Sequence, residues 1–184
     1  MKTLSRTKAL KELQKLKAAY QSFVKTNYEH KADDCRTCPT KGVCCLDAHF
    51  VNVHITKLEA VAIRETLAQL NEEKQREIYE RAAQTVKKYN LKTSGDTFAQ
   101  TFACPLFEKG IGCLIHSTAK PAPCIQHACY KNKEDLPPEK LQQQTEDKIE
   151  RLNKRTYGNT YAWLPLPVWL DIVWNGELGM MNDE

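Results

Sequence analysis

The chain has 184 residues, of which 41% are hydrophobic and 27% charged, and a formal net charge of +4. These values are ordinary for a soluble globular protein of one domain. No apolar run approaches the length of about eighteen residues that a membrane helix needs, and the N-terminus has no continuous hydrophobic segment of the kind found in secretory signals. A cytoplasmic location is therefore the expectation.

The first predicted element is a basic helix. Residues 1–31 hold eight basic and two acidic side chains, a net charge of +6 that leaves −2 for the remainder. The apolar residues that recur there at helical spacing are Leu13, Leu16, Tyr20 and Phe23. They predict a helix from about Ser5 to Tyr28 that packs one stripe on the core. A basic surface for nucleic acid or an acidic partner is the alternative, disfavoured because few arginines accompany the lysines.

A short strand and two helices follow. Alternating apolar and polar residues over 51–55 predict a half-buried strand. Residues 56–59 fit a capping box that starts a helix. Asn71 can cap a second helix, which ends near Asn90 and forms an antiparallel pair with the first. Their apolar positions are Ala60, Ile63, Leu67 and Leu70 on one helix and Ile78, Ala82, Val86 and Tyr89 on the other.

The second half of the chain is less regular. Residues 91–134 show little helical periodicity and contain several prolines and glycines, so metal coordination is a plausible source of their order. A polar helix is predicted over about Glu139–Arg155, ended by Gly158. The C-terminal segment holds all three tryptophans, Trp163, Trp169 and Trp174. We expect it to dock on the core; an exposed apolar patch that binds a partner is the alternative.

These elements predict a mainly α fold with short β-strands, in which helices surround a metal-bound, cysteine-rich core. Residues 1–30 are predicted to form the basic N-terminal helix. Residues 31–134 form the cysteine-cluster metal-binding domain with its inserted helical pair. Residues 135–184 supply the C-terminal helix and the tryptophan-rich segment, packed on the same domain.

The cysteines carry the strongest chemical signal. Their spacing is C-x2-C-x5-C-C, then 58 residues, then C-x8-C-x10-C-x4-C. The eight candidate ligands are Cys35, Cys38, Cys44, Cys45, Cys104, Cys113, Cys124 and Cys129. In a reducing compartment such clustered thiols are more often metal ligands or redox groups than disulfides. A C-x2-C pair lets two thiolates converge on one ion through a tight loop.

The adjacent Cys44 and Cys45 pose a separate problem, because neighbouring side chains usually point in different directions. They can serve two ions, or one can ligate while the other packs or reacts. Eight close thiolates would repel one another and take up protons unless cations were bound among them. Zinc is the preferred ion for two mononuclear sites; iron, or a 4Fe-4S cluster held by four of the cysteines, is the alternative.

Histidines near the cysteines are possible additional ligands. His116 lies three residues after Cys113, and His127 lies between Cys124 and Cys129. His49 and His54 flank the predicted strand. For any one of the four, an ordinary surface or hydrogen-bonded role is expected.

The cysteine pattern resembles the C-x-x-C-x-x-C-C family, also called YkgJ-like, which is described as a zinc- or iron-chelating domain with eight cysteines. The resemblance runs from Cys35 to about Tyr130. VNVHITKLEA resembles the family's strand and helix start, and ACPLFEKGIGCLIHSTAKPAPC resembles the segment that carries three further cysteines. Cys129 completes the set of eight.

This chain departs from that family in three places. Five residues separate Cys38 from the double cysteine where the family's name implies two. His116 stands where a tyrosine is usual, and Lys120 where an arginine is usual. The resemblance implies metal binding but no particular reaction. Because some larger relatives that methylate flagellin lysines carry a cluster of this type, an enzymatic role stays open.

The predicted function is coordination of zinc or iron through the eight cysteines. One alternative is an iron–sulfur or zinc-dependent enzyme or redox protein. It is disfavoured because the sequence has no glycine-rich phosphate loop, no G-x-S-x-G, no H-E-x-x-H and no organic-cofactor motif. The other alternative is an interaction module that uses the basic helix or the tryptophan-rich segment.

Overall fold

The structure is a computed structural model that describes residues 3–33, 40, 42–46, 51–158 and 162–180. It is mainly helical, with 62% of residues in helices and 6% in strands, which confirms the predicted class. The chain divides into two compact units. The first unit comprises Met1–Lys41 and Lys120–Thr160, and the second comprises Gly42–Ala119 and Tyr161–Glu184. In the described part of the chain, no helix combines the length and the apolar character needed to cross a bilayer.

Seven α-helices and four two-residue strands are found among the described residues. The helices are α1 Arg6–Asn27, α2 Val43–Leu46, α3 Lys57–Leu67, α4 Glu72–Tyr89, α5 Ala122–Gln126, α6 Glu139–Tyr157 and α7 Leu166–Met180. The strands are β1 His54–Ile55, β2 Phe107–Glu108, β3 Gly112–Cys113 and β4 Leu164–Pro165. Short 3₁₀ turns occupy Glu29–Lys31, Thr97–Ala99 and Lys133–Asp135.

The first unit is built around α1, which packs against α5 and α6. Ser5 stands at the N-cap, so the predicted start of the helix is confirmed. Its buried side chains are those of Ala9, Leu13, Lys17, Tyr20 and Val24. The predicted stripe was wrong at Phe23, which is 44% exposed. Val24 takes the inward position because it lies four residues after Tyr20 and seven after Lys17, spacings that keep to one face of the helix.

Polar contacts complete the first unit. The Tyr20 hydroxyl donates a hydrogen bond to Gln126 Oε1 and thereby joins α1 to α5. The Leu4 amide donates to the Arg155 carbonyl at 2.9 Å, near the end of α6. Gly158 follows α6 at a positive φ of 81°, a backbone conformation that favours glycine. The predicted end of this helix is confirmed.

The second unit has the larger apolar core. Both α3 and α4 lie against α7. The main packing partner of each of these two helices is therefore α7, and not the neighbouring helix of the predicted pair. The capping box is confirmed, because the Thr56 side chain accepts from the Glu59 amide while the Glu59 carboxylate accepts from the Thr56 amide. Asn71 caps α4 through its side-chain oxygen, 2.8 Å from the Lys74 amide.

The predicted strand over 51–55 is shorter in the structure. Only His54 and Ile55 form β1, which pairs antiparallel with β4. Val51 and Ile55 are buried as expected, but His54 is also buried, with 4% exposed. Strict alternation of buried and exposed side chains fails at His54 because its ring contacts backbone carbonyls inside the unit instead of water.

The tryptophan-rich segment forms β4 and α7. Its buried residues include Leu164, Leu166, Trp169 and Leu170, which join the core beside Ile63, Ile78 and Phe102. Trp174 stacks on Tyr79 of α4 with ring centroids 4.1 Å apart. This part of the segment is therefore docked in the core, as expected from its composition.

Candidate metal centre

Six of the eight predicted ligands lie among the described residues. Each of them is half-buried: Cys44, Cys45, Cys104, Cys113, Cys124 and Cys129. Cys35 and Cys38, together with the possible ligand His49, lie outside the described residues. Within the second unit are Cys44, Cys45, Cys104 and Cys113, and within the first unit are Cys124 and Cys129.

A β-hairpin presents two of the thiols. Strands β2 and β3 pair so that Phe107 faces Cys113 and Glu108 faces Gly112. Glycines make the turn possible, since Gly112 has a φ of 103° that other residues rarely adopt. The base of the hairpin is anchored in the core, where Leu106 and Ile115 are almost fully buried. Cys104 and Cys113 therefore lie on a backbone that apolar burial holds in place.

The Cys104 sulfur has a distinctive environment. Burial raises the pKa of its thiol to about 12. The backbone at Leu106 and Phe107 and the Arg81 guanidinium act in the opposite direction and lower the pKa, but by less than burial raises it. Cys113 raises the pKa further. The protonated thiol is therefore favoured at Cys104 unless a cation is bound.

The double cysteine lies against the same hairpin. The Cys104 amide donates to the Cys45 carbonyl at 2.7 Å. Gly42, at a φ of 84°, packs so closely on the Phe107 ring that an added Cβ would lie 2.0 Å from Phe107 Cζ. Cys44 and Cys45 belong to the helical turn α2, in which successive side chains point about 100° apart. Helical geometry thus directs the two side chains apart, and whether they serve different ions stays a prediction.

Cys124 and Cys129 are held differently in the first unit. Cys124 lies in the five-residue helix α5, which Pro121 precedes. The Cys129 carbonyl accepts from the Asp33 amide at 3.0 Å. The neighbouring residues Ala32 and Tyr130 form an isolated antiparallel bridge. The chain that leads into the first cysteine pair thus passes directly beside Cys129.

The histidines differ in how far they are engaged. His116 and His127, the possible additional ligands, are exposed. His54 is buried and stacks on Phe98 with ring centroids 4.4 Å apart. Its Nδ1 lies 2.7 Å from the Asn52 carbonyl and its Nε2 lies 2.9 Å from the Thr97 carbonyl. Both ring nitrogens are therefore occupied by backbone oxygens, which gives His54 a structural role.

No three histidine, cysteine, aspartate or glutamate side chains come together as a metal-holding group in the part of the chain that the structure describes. The hairpin supplies a pair of thiols, and a tetrahedral site needs four ligands. The donor chemistry at Cys104 and Cys113 therefore fits a thiophilic ion, while the remaining ligands of a closed site are not among the groups brought together here.

The charged residues beside the hairpin carry no distinctive sequence motif. Lys74 Nζ lies 2.7 Å from Glu108 Oε2 and 2.8 Å from Glu77 Oε2. Arg81 Nη1 lies 3.5 Å from Glu77 Oε1. Lys74 and Arg81 are seven residues apart, which is two turns of one helix face. That spacing is common on solvated helices, so sequence alone did not single them out.

Comparisons of the chain with protein-family models, with curated proteins and with solved structures find no match. The resemblance to the YkgJ-like family consequently stays a prediction that depends on the cysteine spacing.

Proposed function

We propose that this chain is a metal-binding protein that coordinates zinc or iron through its eight cysteines. The observation that carries the proposal is the backbone framework shared by three of the cysteines. The Cys104 amide donates to the Cys45 carbonyl at 2.7 Å, and Cys113 lies on the strand that pairs with β2. Burial alone favours a protonated thiol at Cys104, and a bound cation would displace that proton.

The arrangement of the other cysteines supports the same function. Cys113 lies on the paired strand of the hairpin, and the backbone of Cys45 bonds directly to that of Cys104. The spacing of Cys35 and Cys38 suits a loop that carries two thiolates to one ion. Zinc remains the preferred ion because four sulfurs suit its tetrahedral coordination. An iron–sulfur cluster is the alternative with the same ligands.

Purification tests the proposal. The reduced protein, isolated anaerobically without added metal, is expected to contain zinc or iron in stoichiometric amount by elemental analysis. A colourless zinc protein would favour a mononuclear site, and a brown protein with the visible absorbance of an iron–sulfur cluster would favour the alternative. A substoichiometric content of every transition metal, with no uptake after zinc is added, would contradict metal binding.

Cysteine variants identify the ligands. Cys104→Ser and Cys113→Ser are expected to lower metal content, because serine supplies no thiolate. Ala103→Ser is the matched control, since it adds a hydroxyl beside Cys104 and leaves all thiols in place. Cys35→Ser and Cys38→Ser are expected to lower metal content and the cooperativity of unfolding together. Unchanged metal content in a variant would remove that cysteine from the ligand set.

A further inference from the structure

Four exposed lysines share one face of α1: Lys8, Lys11, Lys15 and Lys25. We call these four residues the lysine face. Their spacings of three, four and ten residues keep them within an arc of about 100° on a helix that turns about 100° per residue. The buried side chains of α1, which pack on α5 and α6, cover the opposite side of the helix. The lysine face therefore points away from the packed side.

The positive charge of the chain is concentrated in the first unit. Residues 1–41 and 120–160 hold 18 basic and 10 acidic side chains, a net charge of +8, whereas the second unit holds 9 basic and 13 acidic side chains, a net charge of −4. In the described part of the chain, the one acidic side chain that pairs with the lysine face is Glu12, 3.5 Å from Lys15 Nζ. Water screens this pair, because the Lys15 side chain is 75% exposed. The face thus presents largely uncompensated charge to an anionic partner.

The length and the smoothness of the lysine face suit a row of phosphates. From Lys8 to Lys25 the helix rises about 25 Å, and over that length a nucleic-acid duplex carries roughly fifteen phosphate charges. Between the lysines on this face lie Ala18 and Ser22, two small and exposed residues, so no bulky side chain keeps a duplex at a distance. None of these six residues is aromatic. Single-stranded bases would therefore find no ring to stack on, which favours a duplex.

We propose that the lysine face of α1 binds the phosphate backbone of duplex nucleic acid, independently of base sequence. Phosphate contacts supply affinity but carry no sequence information, so the scarcity of arginines in this segment limits specificity and not binding. A lipid bilayer is the weaker partner, because the apolar side of α1 is packed inside its unit and a membrane-surface helix inserts that side among lipids. An acidic protein is also weaker, because lysine is depleted at protein interfaces, which depend on buried aromatic and arginine anchors.

The salt dependence of binding tests the proposal. The full chain is titrated, in reducing buffer, onto a fluorescent DNA duplex of about 20 base pairs between about 50 and 200 mM salt. Four phosphate contacts predict a slope of about −3.6 for the logarithm of the affinity against that of the salt concentration, a loss of about a hundredfold over this range. Glutamine at all four positions is expected to weaken binding about tenfold or more and to flatten the slope, by about 1 for each lost contact. Binding by the wild type that does not depend on salt, or no binding, would overturn the inference.

The matched control removes the same charge from the second unit. It places glutamine at four other exposed lysines, Lys87, Lys88, Lys92 and Lys109. Both quadruple variants lower the formal net charge from +4 to 0, but only loss of the lysine face is expected to weaken binding. Equal weakening by the two variants would mean that total charge, and not this face, binds the duplex, and the inference would be wrong.

Arginine at the four positions of the lysine face separates charge from structural damage. This variant keeps the four charges, so it is expected to keep the slope of the wild type. A slope lost with arginine as well as with glutamine would mean that the substitutions act through the fold, which would contradict the inference.

Competition identifies the class of partner. Unlabelled duplexes of different base sequence are expected to displace the labelled duplex equally well, because phosphates are common to all of them. Vesicles of phosphatidylserine and polyglutamate, added at the same concentration of negative charge, are expected to displace it less. A strong preference for one base sequence, or better displacement by the vesicles or by polyglutamate, would overturn the proposal. Neither outcome depends on whether the cysteines bind a metal.

Discussion

The two units hold their cysteines by different physical means. In the second unit, Cys104 and Cys113 lie on a hairpin whose base is fixed by the nearly fully buried Leu106 and Ile115. In the first unit, Cys124 lies in a helix of five residues, and Cys129 is held by a backbone hydrogen bond from Asp33. Apolar burial thus positions Cys104 and Cys113, whereas Cys129 is held by polar backbone contacts.

The difference bears on the metal-free protein. Residues fixed by apolar burial keep their geometry without an ion, whereas residues fixed mainly by polar contacts gain more order when an ion binds. Burial of large apolar side chains contributes several kilocalories per mole per residue, and it requires no ion. A single backbone or side-chain hydrogen bond contributes about 1 kcal/mol. We therefore expect the hairpin to keep its geometry in the metal-free protein more firmly than the segment around Cys129.

The largest expected effect comes from removing the anchor of the hairpin. Leu106→Ala should lower the free energy of unfolding by about 2–5 kcal/mol, because it leaves a cavity in a packed core. Urea unfolding of the metal-free protein measures it. Ile111→Ala, at a position 69% exposed on the same hairpin, is the control and should change stability by less than about 0.5 kcal/mol. Equal effects of the two substitutions would mean that apolar burial does not hold the hairpin.

The contact between Gly42 and Phe107 gives the next largest effect. Gly42→Ala places a Cβ inside the ring of Phe107 and should destabilise the second unit by about 1–3 kcal/mol. Gly95→Ala is matched in backbone conformation, with a φ of 78°, but its added Cβ meets nothing within 4 Å. The difference between the two variants in thermal unfolding gives the cost of the steric clash, because the cost of the positive φ is common to both. If Gly95→Ala costs as much, the packing of α2 on the hairpin is not the cause.

A polar contact of the first unit should matter less. Tyr20→Phe removes the hydroxyl that donates to Gln126 and should cost about 1 kcal/mol. Chemical denaturation followed by far-ultraviolet circular dichroism measures this loss. A loss as large as that of Leu106→Ala would show that the first unit depends on polar contacts far more strongly than the comparison of the two units supposes.

The smallest effect at neutral pH is expected at Tyr79, whose buried hydroxyl has no hydrogen-bond partner in the described ranges. Burial raises its pKa from the ordinary value of 10.0 to about 12. The folded state therefore favours the neutral phenol, and the stability that this group contributes below pH 10 is lost as the pH rises towards 12. Tyr79→Phe should be neutral or slightly stabilising at pH 7 and should reduce the alkaline loss.

Unfolding free energies of the wild type and Tyr79→Phe, measured from pH 8 to pH 11, check this prediction. Parallel curves for the two proteins would show that ionisation of Tyr79 does not limit alkaline stability. Burial also raises the pKa of Tyr20. Tyr20 is present in both proteins, so its contribution to the loss of stability at alkaline pH is the same in both and cancels in the comparison.

Local sequence patterns predicted most of the helices. The capping residues Thr56 and Asn71 and the terminal Gly158 act on neighbouring backbone groups, so their effects can be read without the tertiary structure. The strand over 51–55 was predicted too long because its length depends on β4, more than a hundred residues away. Phe23 was assigned to the wrong face because α1 can turn either of two overlapping stripes towards its partners.

The amino-acid sequence by itself determined the helical class, the helix ends and the set of eight thiols, since these follow from residue types and short-range spacing. Only the tertiary structure decided which thiols share a backbone framework, because 58 residues separate Cys45 from Cys104 in the chain and their backbones meet through one hydrogen bond.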